Sequence, residues 1–328
     1  MSEKRPTIVD IARLLGVSHS TVSRAFTHPQ LLSPRTVELV RTTAADLGYI
    51  PNRSAQALST GRPGVIGLLV PDITNPFFPP MIRAAQRVAE RRGISVYIGE
   101  SDNDPERELA LISRFERQVE GFIIASSRLS ETALRGATER VRSVLVNRDL
   151  AGVPRVLLPA GEELRRAIAD FADHRAHGAA GLAAGGRVAY VGGPHRSWSQ
   201  GERRAAVEEA CREHGVPVTV SSCEVGTYRE SHRIGEALEV AAGDLVIAFD
   251  DVIAHGLFDA LTARGLRIPE QVMVLGCDGA LPVETSPRLP TVRLAASGAG
   301  RRAAEMLLDA ADPERVELPA SLVRWPLS

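Results

Sequence analysis

The densest run of side chains able to do chemistry in this 328-residue chain lies near its start, at Ser18-His19-Ser20-Thr21-Val22-Ser23-Arg24. Hydroxyls on Ser18, Thr21 and Ser23 are short enough to come close to phosphate oxygens and hydrogen-bond them. Arg24 carries the planar fork that fits the O6/N7 edge of guanine. His19 and Ser20 stand beside them, free to face bases. Such chemistry needs a scaffold narrow enough to enter a DNA groove. The plainer alternative makes Ser18 a helix cap and Arg24 a surface charge.

The flanking residues supply that scaffold. Thr7 and Asp10 have capping-box spacing, and Ile8, Ile11, Ala12 and Leu15 follow at helical intervals. Gly16-Val17 turns the chain, and Ser18 caps a second helix predicted over His19–Phe26, with Val22 and Ala25 inward. Ser33-Pro34 starts a third, with Val37, Val40, Ala44 and Leu47 on its buried side and Gly48 at its end. Helix, tight turn and hydroxyl-rich second helix make the helix-turn-helix plan, whose second helix presents its N-terminal side chains to base edges. Asn52–Ser59 is helix-prone, and residues 60–64 read as a linker.

From Val65 the pattern changes. Short apolar runs (Val65–Val70, Ser95–Gly99, Gly121–Ala125, Ser143–Asn147, Arg187–Gly192, Leu245–Phe249, Val272–Cys277) alternate with amphipathic segments such as Pro79–Arg92, Arg107–Gln118, Glu162–Ala172, Gly201–Glu213, Tyr228–Val240 and Asp251–Arg264. That alternation predicts βαβ units and mostly parallel sheets, and its length favours two lobes over one.

Charge divides the same way. Residues 1–62 hold eight Lys/Arg against four Asp/Glu, whereas the rest hold 31 against 36. A basic head on an acidic body suits a DNA-binding module attached to a sensor. At 44% hydrophobic and 24% charged, with no apolar run near membrane-spanning length and no secretory signal ahead of the first helix, the chain reads as a soluble cytoplasmic protein. Cys211, Cys223 and Cys277 are too few and too scattered for a disulfide framework or zinc site. His174 and His177 lack thiolate neighbours, so no metal or other cofactor is expected. Phosphate-loop, dinucleotide, nucleophile-elbow and zincin motifs are all missing, so no enzyme is expected.

Residues Thr7–Gly61 resemble the DNA-binding head of the lactose-repressor (LacI/GalR) family. The resemblance rests on Thr7-Ile8-Val9-Asp10-Ile11-Ala12, Val17-Ser18-x-x-Thr21-Val22-Ser23-Arg24 and Leu47-Gly48-Tyr49-Ile50-Pro51-Asn52, and it continues into the body. It implies base choice by His19, Ser20 and Arg24, and phosphate contact or packing by Thr7, Ser18, Thr21, Ser23 and Tyr49. It also implies a hinge helix over 52–59, with Asn52 and Ala55 at the DNA and Leu58 as a minor-groove wedge. Ala55 and Leu58 packing on the body is the alternative. A helix that short is unstable alone. One head covers only half a site, so a homodimer on palindromic double-stranded DNA is expected, with a tetramer left open.

For the body the resemblance implies a two-lobed, periplasmic-binding-protein-like domain that closes on a sugar or related polar effector. Its marks are Val70–Phe78, Gly192-Gly193-Pro194, Ser197-Trp198-Ser199, Phe249-Asp250-Asp251 and Gly276-Cys277-Asp278. By that carry-over Arg203, Asp251 and Asp278 hold hydroxyl groups, and Phe77, Phe78 or Trp198 supplies an apolar wall. Other roles stay open: Asp250 and Asp251 as helix caps, the phenylalanines as core, Arg203 paired with Glu202 or Glu208. Pro159-Ala160 stands where the family often has Asp-Asn, with Asp173-His174 as an alternative register, and Asp250 replaces a common Asn. Both departures count against an ordinary hexose. The expected boundaries are 1–51 for the head, 52–62 for the hinge and linker, and 63–328 for the body. The lobes comprise 63–160 with 293–317, and 161–292 with 318–328.

Overall fold

The computed structural model describes residues 6–49, 63–177, 186–281, 289–310 and 314–323. It divides into two compact units, Met1–Gly64 and Val65–Ser328.

The head is three helices on a small apolar core. Helix α1 (Ile8–Leu15) starts with both arms of the capping box formed: Thr7 accepts from the Asp10 amide, and Asp10 accepts from the Thr7 amide at 2.9 Å. It stops at Gly16, whose φ of 67° a side chain would strain. Ser18 then caps α2 (His19–Thr27), accepting from the Thr21 amide at 3.1 Å. A 3-10 turn at Pro29–Leu31 leads to α3 (Pro34–Asp46), which Ser33 caps. Ile11, Ala12, Val22, Ala25, Val40 and Ala44 are buried together. Leu47, expected on the buried side, caps α3 with 39% exposure: the helix stops one residue earlier and turns it outward.

The body holds two six-stranded sheets. In the first, the order is β11 (Arg315–Glu317), β5 (Arg155–Leu157), β4 (Ser143–Val146), β3 (Phe122–Ala125), β1 (Val65–Val70), β2 (Ser95–Glu100). In the second it is β12 (Ser321–Val323), β10 (Thr291–Arg293), β9 (Met273–Asp278), β8 (Leu245–Ala248), β6 (Val188–Gly192), β7 (Val218–Ser222). Every pairing is parallel except β10 with β12. Parallel strands are covered on both faces, which is why β3, β4, β6 and β8 are buried throughout and read as apolar runs instead of alternating.

Helices α4 (Phe78–Arg91), α5 (Pro105–Phe115), α6 (Glu131–Arg140), α7 (Gly161–His177), α8 (Trp198–Glu213), α9 (Tyr228–Ala237), α10 (Asp251–Ala263) and α11 (Ala296–Leu308) clothe the sheets. α11 lies so tightly on α4 that a Cβ on Gly300 would fall 2.0 Å from the Met81 carbonyl oxygen. Short β5, β7, β10, β11 and β12 carry too few apolar residues to announce themselves in the sequence. No described helix is long and apolar enough to cross a membrane.

Candidate functional site

In the head, Thr7, Ser18, His19, Ser20 and Arg24 are exposed, and Thr21 and Ser23 are half-buried. The Ser18 hydroxyl lies 2.7 Å from that of Ser20 and 2.9 Å from that of Thr21. One end of α2 therefore presents a patch of hydroxyls around its own N-cap, where helix amides concentrate positive potential. Arg24 sits in the last turn of α2, exposed, with no hydrogen bond or ion pair to its side chain among the described residues. Tyr49 packs instead of pointing outward, its ring 5.8 Å from that of Phe26. Asn52, Ala55 and Leu58 lie outside the described residues.

In the body, the carboxyl ends of β1, β3 and β4 from one sheet and β6, β8 and β9 from the other border a narrow polar cleft. The crevice beyond the strand ends is where open parallel sheets bind ligands. Of six described non-glycine residues with left-handed backbone, four line it: Asn103, Ser126, Asn147 and Asp278, with φ of 56°, 48°, 52° and 106°. Such strain concentrates where a site must be held in one shape.

The wall from the second sheet is built on Arg203, which is 3% exposed. Its Nη2 donates to Asp278 Oδ1 at 2.9 Å, its Nη1 donates to the Phe249 carbonyl, and its guanidinium carbon lies 4.5 Å from the Phe249 ring centre. Glu202 and Glu208, the open alternatives, do not hold it. Burial works against the Arg203 charge, and its ion pair and hydrogen bond with Asp278 favour the charged form. Asp278 is itself pushed up by burial, with Arg203 pulling the other way.

Asp250 and Asp251 divide the roles that sequence left open. Asp250 Oδ1 caps α10 at the Ile253 amide, 2.8 Å away, while Oδ2 accepts from Asn75 Nδ2 at 3.1 Å and so ties the two walls of the cleft together. Asp251, expected in the pocket, faces away from it: its carboxylate accepts from Thr291 Oγ1 at 2.6 Å and from the Ala280 amide at 3.0 Å. A Cβ on Gly276 would sit 2.4 Å from Asp251 Oδ1, so the carboxylate is packed flat against that strand. The helix phase explains the swap, because the cap residue keeps extended backbone and its side chain folds over the helix end towards the cleft. Burial, then Asp278, raises both carboxyls, Asp251 to about 7.

Phe77 and Phe78 line the cleft while also packing in the core, their rings 5.2 Å apart and edge to face. Trp198 does not line it. As the first residue of α8 it is half-buried beside the Ser197 cap, and Ser197 and Ser199 reach the cleft in its place. Pro159-Ala160 does follow β5, whereas Asp173-His174 falls within α7, exposed; neither pair lines the cleft. Asn147, at the end of β4, takes up the polar role there and accepts from the Leu158 amide at 3.0 Å.

Sequence reasoning missed the opposite wall. Arg128 is 7% exposed, and its Nε and Nη2 both donate to Asn103 Oδ1 at 3.1 and 3.0 Å, its Nη1 to the Ser126 carbonyl at 3.0 Å. The Arg128 amide donates to the buried Glu108 carboxylate at 2.8 Å. Burial lowers Arg128 to about 10 and raises Glu108. The available signal was the polar Ser126-Ser127-Arg128 directly after an apolar strand.

A three-helix head with a groove-sized polar helix, followed by two like-ordered parallel sheets around a polar cleft, defines a ligand-sensing DNA-binding protein. Residues 7–52 match the family model for bacterial regulatory proteins of the lacI family, and residues 185–324 match a periplasmic binding protein-like domain. The chain is 30% identical over 315 residues to the HTH-type transcriptional regulator GalS of Salmonella typhimurium, covering 93% of this chain and 90% of that one. Among solved structures it is similar to the lac repressor dimer bound to operator and the anti-inducer ONPF (TM-score 0.80, 22% identity, 98% of each chain). It is also similar to the transcriptional regulator CelR–cellobiose complex (TM-score 0.65, 25% identity, 98% of this chain and 99% of that one). The chain belongs to the lacI family of bacterial regulatory proteins and is a DNA-binding transcriptional regulator.

Proposed function

We propose that the protein is a cytoplasmic repressor, acting as a homodimer on a palindromic operator, whose affinity is set by a small polar metabolite held in the body cleft. His19, Ser20 and Arg24 read bases. Thr7, Ser18, Thr21 and Ser23 hold phosphates, and Asn52, Ala55 and Leu58 form the hinge at the centre of the site. Arg203, Asp278, Asp250 and Asn75 orient the effector against Phe77 and Phe78. The body acts as two lobes, 63–160 with 293–317 and 161–292 with 318–328, that close on it. The cleft binds and does not catalyse.

One observation carries this reading above the others: a buried Arg203–Asp278 pair stands at the strand ends of one sheet, and Asn75 from the other sheet reaches over to Asp250. A ligand bound there touches both lobes and biases their closure. Operator and effector affinities are then coupled reciprocally, by roughly 1–3 kcal/mol in such systems. The related lac repressor structure, a dimer bound to operator, and the cellobiose complex of CelR support the partners.

A gel shift of the full chain with the palindrome upstream of its own gene, repeated with added sugars and polyols, tests the proposal. Retardation that one compound reverses is the expected result. No retardation at low salt on any duplex sinks it.

A further inference from the structure

Building on the effector reading of the cleft, we infer that the effector carries a carboxylate and that Arg128 grips it, the remaining hydroxyls facing Asp250 and Asp278. The chemical class is a polyhydroxylated monocarboxylate, a sugar acid, and not the neutral sugar.

The two walls differ in how their arginines are used. Arg203 is matched by Asp278 and has further acidic neighbours. The Arg128 guanidinium donates to neutral acceptors, an amide oxygen and a backbone carbonyl, and only the backbone amide of this residue reaches a carboxylate, Glu108. A guanidinium has five N–H groups. Three are engaged, which leaves one on each terminal nitrogen, enough for a two-point grip on a carboxylate. Both residues that accept from Arg128, Asn103 and Ser126, have left-handed backbone, so the strained loops aim the guanidinium at the cleft it lines.

Charge count sets the class of anion. Behind this wall two guanidiniums, Arg128 and Arg148, act on one buried carboxylate, Glu108. Arg148 donates to the Leu129 carbonyl, another neutral partner. Asp72, the carboxylate that lines this wall, is half-exposed and turned to Thr74, where water screens it. Counting Asp72 the wall is neutral overall, but with that half-exposed charge screened its inner groups hold one guanidinium more than carboxylates. A carboxylate supplies one negative charge, a phosphate close to two. The opposite wall, where Asp278 is already matched by Arg203, offers Asp250 and Asp278 oxygens to hydroxyl hydrogens, which sets which way round the ligand sits.

The test uses the full chain and isothermal titration with aldonates and hexuronates of five and six carbons. Each is paired with the neutral aldose of equal carbon number and with the corresponding sugar phosphate. At least one carboxylate binds about tenfold or more tightly than its neutral and phosphorylated partners. Arg128→Met removes that preference and Arg128→Lys keeps part of it, while wild-type discrimination stands even if Arg128→Met does not fold. The inference is overturned if a neutral aldose or a phosphate is preferred, if no carboxylate binds, or if Arg128→Met leaves the preference intact. Operator retardation measured alongside separates the two failures: a protein released from operator by a neutral sugar remains a regulator but not a sensor of sugar acids.

Discussion

The two lobes repeat one topology and furnish it with opposite charge. In each sheet the first strand in sequence is flanked by the second at the edge and by the third on its inner side, and both offer their strand ends to the cleft. One wall carries Arg128 on neutral partners, whereas the other surrounds Arg203 with Asp250, Asp251 and Asp278. The backbone decides where a ligand goes, and single residues in the segments that follow the strands decide what it is.

That contrast breaks most readily at Arg203. Removing it leaves acidic neighbours buried without their cation, and breaking a buried pair by deleting one partner costs about 3–5 kcal/mol. Arg203→Met should lower urea-unfolding stability by that order and abolish effector binding together. Arg128→Met breaks no guanidinium–carboxylate hydrogen bond and leaves Arg148 beside Glu108, so it should cost distinctly less. Equal losses would show that the two walls are not differently built.

Asp250 and Asp251 sharpen the contrast within one wall. Asp250→Ala should weaken effector binding about tenfold or more by titration calorimetry. Asp251→Ala should instead cost about 1–3 kcal/mol of stability, from the orphaned Thr291 hydroxyl and Ala280 amide, with ligand affinity nearly unchanged. Reversed effects would return Asp251 to the pocket.

The same acids set a pH response. A carboxyl whose folded pKa is raised above its unfolded value favours the folded state when protonated, so stability is gained as pH falls through the folded pKa and lost as it rises. For Asp251 the window runs from about 7 down towards 3.8. Melting temperature should rise between roughly pH 8 and pH 5.5, and Asp251→Asn should flatten the rise. An identical slope in the variant would assign the effect elsewhere.

Much of this was legible in the sequence because the signals were local. Caps at Thr7, Ser18 and Ser33 need only their own side chain and an amide three residues on. The buried strands announced themselves as unbroken apolar runs. The cleft was half legible: Arg203 and Asp278 lie far apart in sequence, and only a carried-over motif joined them. Asp251 does not line the cleft because helix phase after the Asp250 cap turns it to Thr291 and Ala280, and Arg128 went unnoticed for a different reason. Which way a side chain points at a strand end depends on a single backbone angle, such as φ of 48° at Ser126, that composition and periodicity do not encode.

The smallest expected effects lie in the head. Arg24→Ala should relax base preference at one symmetric pair of operator positions, at about 1–3 kcal/mol per contact, and leave folding alone. Ser18 is different, because one hydroxyl serves both the fold of the head and its DNA-facing surface. It caps α2 at the Thr21 amide and stands at the centre of the exposed hydroxyl patch. Ser18→Ala should therefore cost about 1 kcal/mol of head stability and weaken binding to all duplexes alike, since phosphate contacts carry no sequence information. Ser18→Asp restores the cap but sets a negative charge against the phosphates. If capping alone matters, Ser18→Asp binds operator like the wild type. If the hydroxyl patch meets phosphate, it recovers the stability and binds worse than Ser18→Ala, a split that melting curves and gel shifts of the two variants resolve.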